Sequence, residues 1–194
     1  VPPANLRVGS IVVLSVFELP CSALWIDDLG LQMDYLGIES VIRMSMSAQV
    51  DTSNWPLPAN GVRFITPPRL RRLLNRHPLA SGCYPLALGF YPEAGGHRMN
   101  RPLPDDYLLI YCRAGQGWLE SGDGRIAVAG GDLLLLPKGI PHAYGADPGK
   151  PWTLFWVHFD GELAAEFLRP LGKGPIWRIG VQPRLLAEFD ALLN

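Results

Sequence analysis

Metal chemistry would need histidine and carboxylate side chains that converge on one point of the fold. The sequence contains four histidines: His77, His97, His142 and His158. No His-x-His pair occurs in the sequence. The strand expected at residues 107–113 also has no Glu at the spacing of a metal ligand. A Gly-x-Ser-x-Gly elbow and a phosphate-binding glycine loop are also missing from the sequence. We therefore predict no metal ion, no other cofactor and no catalytic residue.

Binding of a small molecule is better supported, by the aromatic residues of segment 152–159. If this segment forms a strand, alternation places Trp152, Leu154, Trp156 and His158 on one face. A tryptophan face is a good platform for an apolar ring or for the C–H face of a sugar. Trp156 is thus a candidate ligand-binding residue, although a tryptophan here is also typical of an ordinary hydrophobic core.

Two further side chains could give a ligand directional hydrogen bonds. Arg101 precedes Pro102 in an otherwise apolar stretch, and Tyr144 follows a turn. The residue types alone leave other interpretations open, since a surface arginine and a half-buried tyrosine are at least as common.

Segment 131–144 must position Tyr144. Four consecutive leucines predict a strand that is buried on both faces. Pro137 and Gly139 then reverse the chain, because proline restricts φ and glycine tolerates positive φ. The next strand carries His142, which we expect to close the turn through a hydrogen bond. A strand and turn of this kind form one wall of a small β-barrel whose interior can hold a ligand.

Periodicity and turn residues divide the chain into four regions. We interpret residues 1–45 as an upstream extension and residues 46–82 as an arm followed by a short helix. Residues 83–161 have the pattern of antiparallel strands, and residues 162–194 become helical. The arginines of the short helix could contact nucleic acid, but a solvated helix face is the interpretation that we favour.

The composition limits the classes of partner. The 194 residues include 17 basic and 18 acidic side chains, which argues against an extended surface for nucleic acid or anionic membranes. The three cysteines do not have the spacing of a disulfide framework or a zinc site, and indicate reduced thiols. No apolar run reaches the length that spans a membrane, so we expect a soluble cytoplasmic protein without a membrane partner.

In combination, these motifs resemble the effector-binding, arabinose-type cupin domain of AraC/XylS-family transcription regulators. Segment 131–142 also matches the second cupin motif, whereas the first cupin motif, with its His-x-His, is absent. The motifs that carry the resemblance are Arg101-Pro102, Tyr107-x-Leu-x-Tyr111, Gly115-Gln-Gly117, Gly131-Asp-Leu-Leu-Leu-Leu-Pro137, His142-Ala-Tyr-Gly145 and Trp152-x3-Trp156-x-His-Phe159-x-Gly161.

The resemblance implies a mainly β protein: a cupin (jelly-roll) barrel with an N-terminal arm and C-terminal helices. It also implies a metal-free pocket in which Arg101, Tyr144 and Trp156 hold a small-molecule effector, with a sugar as one candidate. Leu154 stands where the arabinose-responsive member has a histidine, which puts arabinose itself in doubt. We add Leu154 and Tyr111 to the candidate ligand-binding residues.

In the resembling family the arm folds over the pocket and the C-terminal helices form the dimer contact. DNA is bound by helix-turn-helix units beyond the sensor domain, so we expect this chain to be the sensor part of a longer regulator. Two alternatives stay open from the residues. One is a metal-dependent cupin enzyme such as a sugar isomerase or a dioxygenase, and the other is a stand-alone carbohydrate-binding module.

Overall fold

The computed structural model of the protein describes residues 55–122, 124–169 and 174–193. The predicted extension at residues 1–45 and the first part of the arm lie outside the described residues. Within them, ten strands and three helices follow one another along the chain. The strands are β1 (Val62–Ile65), β2 (Tyr84–Tyr91), β3 (Arg98–Arg101), β4 (Tyr107–Ala114), β5 (Gln116–Ser121), β6 (Gly124–Ala129), β7 (Asp132–Leu136), β8 (His142–Ala146), β9 (Thr153–Asp160) and β10 (Ile176–Arg178). The helices are α1 (Pro68–Arg76), α2 (Ala164–Leu168) and α3 (Pro183–Leu193).

Two antiparallel sheets make up the barrel. The larger has the strand order β1-β2-β9-β4-β7-β10, and the smaller has the order β3-β8-β5-β6. Neighbours in space are mostly distant in sequence, as in a Greek-key jelly roll. The prediction of a mainly β, cupin-type barrel is confirmed.

Side chains alternate between the two faces of the larger sheet. In β7, Leu134 and Leu136 belong to the core between the sheets, whereas Leu133 and Leu135 belong to a second core on the other face. All five residues of β7 are buried, as the run of four leucines predicted. In β9 the alternation also matches the prediction: Trp156 faces inward, and Phe155 faces the second core.

Helix α3 covers the outer face of the larger sheet. Its Phe189 stacks on Phe155 with the ring centroids 4.7 Å apart, and Leu185 is buried in the same cluster. This outer core consists of apolar side chains and buried rings, so it stabilises the fold mainly through burial of apolar surface.

Strands β1 and β3 were not predicted from the sequence. β1 lies in the stretch interpreted as arm, yet it pairs with β2 along the edge of the larger sheet. β3 is a short strand of largely exposed polar residues that pairs with β8. Neither has the apolar alternation from which a strand can be recognised. Helix α1, by contrast, lies where it was predicted, and it has no buried residue, so its arginines form a solvated face.

Candidate functional site

A small cavity lies between the two sheets. Its volume is about 10 Å³, which is room for roughly one water molecule. Eight side chains line it: Tyr91, His97, Leu108, Ile110, Tyr144, Leu154, Trp156 and His158. They come from β2, β4, β8, β9 and the loop after β2, so the site unites distant parts of the chain.

The sequence interpretation expected an interior with room for a ligand, and the described conformation is more closed than that. Trp152 and Tyr91 are among the largest fully buried side chains of the inner core. The indole of Trp156 lies so close to β2 that a Cβ added at Gly89 would be 2.6 Å from its Cζ2 atom. Aromatic rings therefore fill most of the interior, and a ligand larger than water requires some of them to move.

Three of the five predicted ligand-binding residues line the cavity together. Tyr144, Leu154 and Trp156 are each at most 4% exposed and line the same cavity. Their convergence follows from strand parity, because positions 154 and 156 of β9 share a face and the smaller sheet presents Tyr144 opposite them.

Arg101 does not line the cavity, but it is connected to a lining residue through an ion pair. Its Nη2 atom is 2.8 Å from Oδ1 of Asp106, and the other Asp106 oxygen accepts a hydrogen bond from Nδ1 of His158 at 3.0 Å. Since His158 lines the cavity, Asp106 and His158 together connect Arg101 to the site.

Tyr111 does not belong to the site, which corrects its placement among the pocket residues. Ile110 pairs with Trp156 in the register of β4 and β9, so Tyr111 points to the opposite face. There its hydroxyl donates to the carbonyl of Gly180 at 3.1 Å and accepts from the backbone N–H of Gln182 at 3.3 Å. Tyr111 thus joins the sheet to the segment before α3.

Ionic contacts determine the charge of the buried carboxylate. Burial alone would raise the pKa of Asp106, but the hydrogen bond from His158 and the charges of His158 and Arg101 outweigh burial and lower it. Asp106 is therefore an anion that divides its two oxygens between a guanidinium and an imidazole.

Trp55, in the stretch predicted as arm, contacts two rings of the cavity lining. The ring of Trp55 lies 4.8 Å from the His97 ring and 5.2 Å from the Tyr91 ring, measured between centroids. Arg63 of β1 donates from Nη2 to the Trp55 carbonyl at 2.8 Å and from Nε to the Tyr91 hydroxyl at 2.8 Å. One guanidinium thus joins the arm to a lining residue.

His97 is neutral in this position. Burial, followed by the nearby charge of Arg63, lowers its pKa to about 4. Its Nδ1 atom accepts a hydrogen bond from the indole N–H of Trp152 at 3.3 Å. The sequence interpretation missed Trp55, Arg63, Tyr91, His97 and Asp106, because no motif or spacing relates these residues to the cavity.

His142 closes the turn before β8, as predicted. Its Nδ1 atom lies 2.8 Å from the carbonyl oxygen of Ile140. Its Nε2 atom is buried without a hydrogen-bond partner, and the same holds for Nη1 of Arg101, Nε1 of Trp156 and Oδ1 of Asp106, of which the last is held by an ionic contact with Arg101. Buried polar atoms in folded proteins are nearly always paired, so the unpaired atoms of Trp156 in the cavity lining, and of Arg101 and His142 next to it, are candidates to contact polar groups of a ligand.

The donor set does not fit a catalytic metal. Within residues 55–122, 124–169 and 174–193, no three His, Cys, Asp or Glu side chains are grouped so that they could hold a metal ion. The carboxylate nearest to the histidines is Asp106, and both of its oxygens are engaged by Arg101 and His158. The two cysteines in the described part of the chain, Cys83 and Cys112, are buried thiols, and burial raises the pKa of each to about 12.

None of the helices in the described part of the chain is both long enough and apolar enough to cross a lipid bilayer.

The chain was compared with known proteins. The family model described as "AraC-like ligand binding domain" matches residues 88–193. The MmsAB operon regulatory protein of Pseudomonas aeruginosa is 42% identical over 168 residues, which cover 84% of this chain and 53% of the relative. The raffinose operon transcriptional regulatory protein of Pediococcus pentosaceus is 35% identical over 63 residues, 32% of this chain and 23% of the relative. The chain thus spans about half the length of the first of these relatives, and less of the second.

Among solved structures, a Cupin 2 conserved barrel domain protein from Salinispora arenicola is similar at a TM-score of 0.38. The two chains are 18% identical, and the match covers 63% of this chain and 95% of the other. At this TM-score and identity, the similarity carries no information about function.

Proposed function

Because this chain belongs to the family of AraC-like ligand-binding domains, we propose that it is the effector-sensing domain of a transcription regulator. A small molecule binds in the barrel and thereby controls DNA binding by a C-terminal helix-turn-helix domain outside this sequence. The names of the relatives, which are operon regulators, support this role. Since such a regulator acts on chromosomal DNA, its proposed location is the cytoplasm.

The observation that carries the proposal is the contact between the arm and the lining. Trp55 packs against Tyr91 and His97, two rings that face the cavity, and Arg63 holds both the Trp55 backbone and the Tyr91 hydroxyl. A ligand that enters between the sheets must displace some of these rings, because the cavity holds about 10 Å³. Ligand binding is therefore coupled to the position of the arm.

This coupling gives the effector a way to act at a distance. A ligand shifts an equilibrium only by the difference between its affinities for the two states. In our proposal the closed state keeps Trp55 on the lining and the ligand-bound state has it rearranged. The rearranged arm then changes the surface that the domain presents to a partner chain or to the DNA-binding domain.

A homodimer through the region of residues 162–194 is part of the same proposal. Leu185 and Phe189 of α3 are buried against the sheet, so they belong to the core of one chain. Exposed apolar side chains beside the helices, Leu163 and Val181, are 51% and 70% exposed and support a contact on the other side.

The class of effector has two sources of support. The raffinose operon relative makes a sugar one candidate. The lining itself is mostly aromatic and aliphatic, which fits a ligand with few polar groups. The alternative of a metal-dependent cupin enzyme has less support, because an arginine–aspartate pair stands beside the histidines.

A thermal-shift screen of the chain with sugars and small organic acids tests the proposal, since a ligand that prefers the native state raises its stability. At a ligand concentration of 100 times Kd the gain is about 2.7 kcal/mol. Trp156→Phe should reduce the shift, and Trp118→Phe, on the smaller sheet between Arg98 and Arg125, is the matched control.

A shift that Trp156→Phe leaves unchanged would contradict the assignment of the site. Elemental analysis of the same protein tests the enzyme alternative. Stoichiometric iron, manganese, nickel or zinc that is lost in a His142→Asn variant would favour an enzyme over a sensor.

A further inference from the structure

We propose that the polar end of the barrel binds a short organic acid that carries a hydroxyl group, through Arg101, Trp156 and His142. This inference rests on the proposed function, because it specifies the ligand class of the same cavity. It differs from the expectation of a sugar, and it follows from which atoms at the site can only donate and which can only accept.

His142 supplies the acceptor. Its Nδ1 atom lies 2.8 Å from the Ile140 carbonyl, and a carbonyl can only accept, so Nδ1 carries the proton. Burial is the largest influence on His142 and lowers its pKa, and the charge of Arg101 acts in the same direction. The ring is therefore neutral, and its buried Nε2 atom presents a lone pair that needs a donor.

Arg101 supplies a charged donor. Its Nη2 atom is paired with Asp106, whereas Nη1 is buried without a partner and can only donate. Asp106 also contacts His158, and the second carboxylate near the guanidinium, Asp105, is 3.8 Å from Nη2 and 97% exposed, so neither carboxylate occupies Nη1. A carboxylate is the group that best matches an arginine donor, since charge-assisted hydrogen bonds are about twice as strong as neutral ones.

Trp156 supplies a second donor. Its indole faces the cavity, is 4% exposed, and has a buried Nε1 atom without a partner. The three atoms belong to one neighbourhood. Arg101 and His142 are directly paired across β3 and β8, and the rings of Trp156 and His158 are 5.4 Å apart.

Two donors and one acceptor define the ligand group. A carboxylate accepts from Arg101 and Trp156, and a neighbouring hydroxyl donates to Nε2 of His142. A carboxylate without a hydroxyl leaves His142 unpaired. A diol offers the guanidinium only a neutral acceptor.

The rest of the lining argues against a sugar ring. Leu108, Ile110 and Leu154 form the apolar side of the cavity. Hydroxyl groups turned toward these side chains would lose their hydrogen bonds to water without replacement, which is unfavourable. The His97 Nδ1 atom is already occupied by Trp152. A compact acid places its polar groups at one end and its carbon chain on the apolar side.

Isothermal titration calorimetry with matched probes tests the inference on the chain of 194 residues. The probes are lactate, propionate and propylene glycol, then β-hydroxybutyrate and butyrate, and finally arabinose. We expect at least one hydroxy acid to bind about tenfold or more tightly than its matched acid, as for loss of a hydrogen bond to a buried group. Lactate should likewise exceed propylene glycol, and arabinose should give no binding.

Two variants separate the contacts. Asn in place of His142 keeps a donor near the Nδ1 position and removes Nε2, so His142→Asn should reduce the preference for hydroxy acid over plain acid to about onefold. Trp156→Phe removes the N–H together with part of the ring area, and should weaken both acids by a similar factor because neither loss depends on the hydroxyl group. Trp118→Phe is the control and should bind like the unmodified chain.

Each outcome decides one way. Binding of arabinose or of the diol in preference to the acids overturns the ligand class and leaves the proposed sensor function standing. A hydroxy acid whose preference survives His142→Asn overturns the role of His142. If no hydroxy acid of the panel binds, the inference is wrong, and a ligand from the broader screen decides the sensor function separately.

Discussion

The two faces of the larger sheet come from alternate residues of the same strands, but they differ in how their polar atoms are paired. On the outer face, the hydroxyl of Tyr111 is paired with Gly180 and Gln182, and Phe189 stacks on Phe155. On the inner face, Nε1 of Trp156 is buried without a partner beside the cavity, and so is Nη1 of Arg101 on the smaller sheet. Buried unpaired groups cost free energy, so they are retained where they serve a ligand. The outer face therefore stabilises the domain, and we propose that the inner face takes part in ligand recognition.

Loss of the outer core should have the largest effect. Phe189→Ala removes a fully buried ring and should reduce the free energy of unfolding by about 4 kcal/mol. Urea denaturation measures the change, and Val181→Ala, at a residue that is 70% exposed, is a control expected to stay within about 0.5 kcal/mol. If the folded Phe189→Ala protein binds its ligand more weakly, the two faces are not independent.

Acid should lower the stability of the folded protein through His97. The pKa of His97 is about 4 in the folded protein, and about 6.5 is usual for an unfolded chain. Between these values the unfolded state binds more protons, so stability decreases as the pH falls from about 6.5 toward 4, by up to about 3 kcal/mol. The lowered pKa of Asp106 adds a further loss at still lower pH, where its carboxylate becomes protonated.

Urea denaturation at a series of pH values measures this dependence. His97→Gln keeps an acceptor for the Trp152 indole and removes the titrating ring, so its stability should depend less on pH in that window. His77→Gln, at the end of α1, should keep the full dependence. Equal slopes in the His97→Gln protein and the unmodified chain would show that His97 is not the cause.

The arm contact should have an intermediate effect. Trp55→Ala removes ring contacts with Tyr91 and His97 and should lower stability by about 1 kcal/mol. If the ligand displaces Trp55, the same free energy no longer opposes binding, and affinity should rise about fivefold. Calorimetry with the tightest ligand measures this, and a lower affinity would mean that Trp55 holds the ligand instead of competing with it.

Removal of single hydroxyls gives the sharpest comparison, because Tyr111 lies on the outer face of the larger sheet and Tyr144, on the smaller sheet, lines the cavity. Tyr111→Phe should lower stability by about 1 kcal/mol, because the paired groups at Gly180 and Gln182 lose their partner. Its ligand affinity should be unchanged. Tyr144→Phe, on the cavity lining, should change affinity by several-fold with the smaller effect on stability. The reverse pattern would contradict the division between the faces.

Much of the barrel was predictable because strand and turn signals are local. The leucine run predicted β7, and the alternation in segment 152–159 assigned the faces of β9 correctly. The edge strands β1 and β3 were missed because they have little buried apolar surface. Tyr111 was placed among the candidate ligand-binding residues because the motif that contains it does not give the register between β4 and β9.

The sequence by itself determined the strands with a clear apolar pattern, the faces of β7 and β9 and the family, because alternation, turn residues and motifs are written in consecutive positions. Only the tertiary structure decided that Asp106 meets His158, 52 residues away, and that Arg101 reaches the cavity through this pair. It also decided that Trp55 packs against His97. These contacts depend on strand register and on the path of the loops, and both arise from packing of the whole chain.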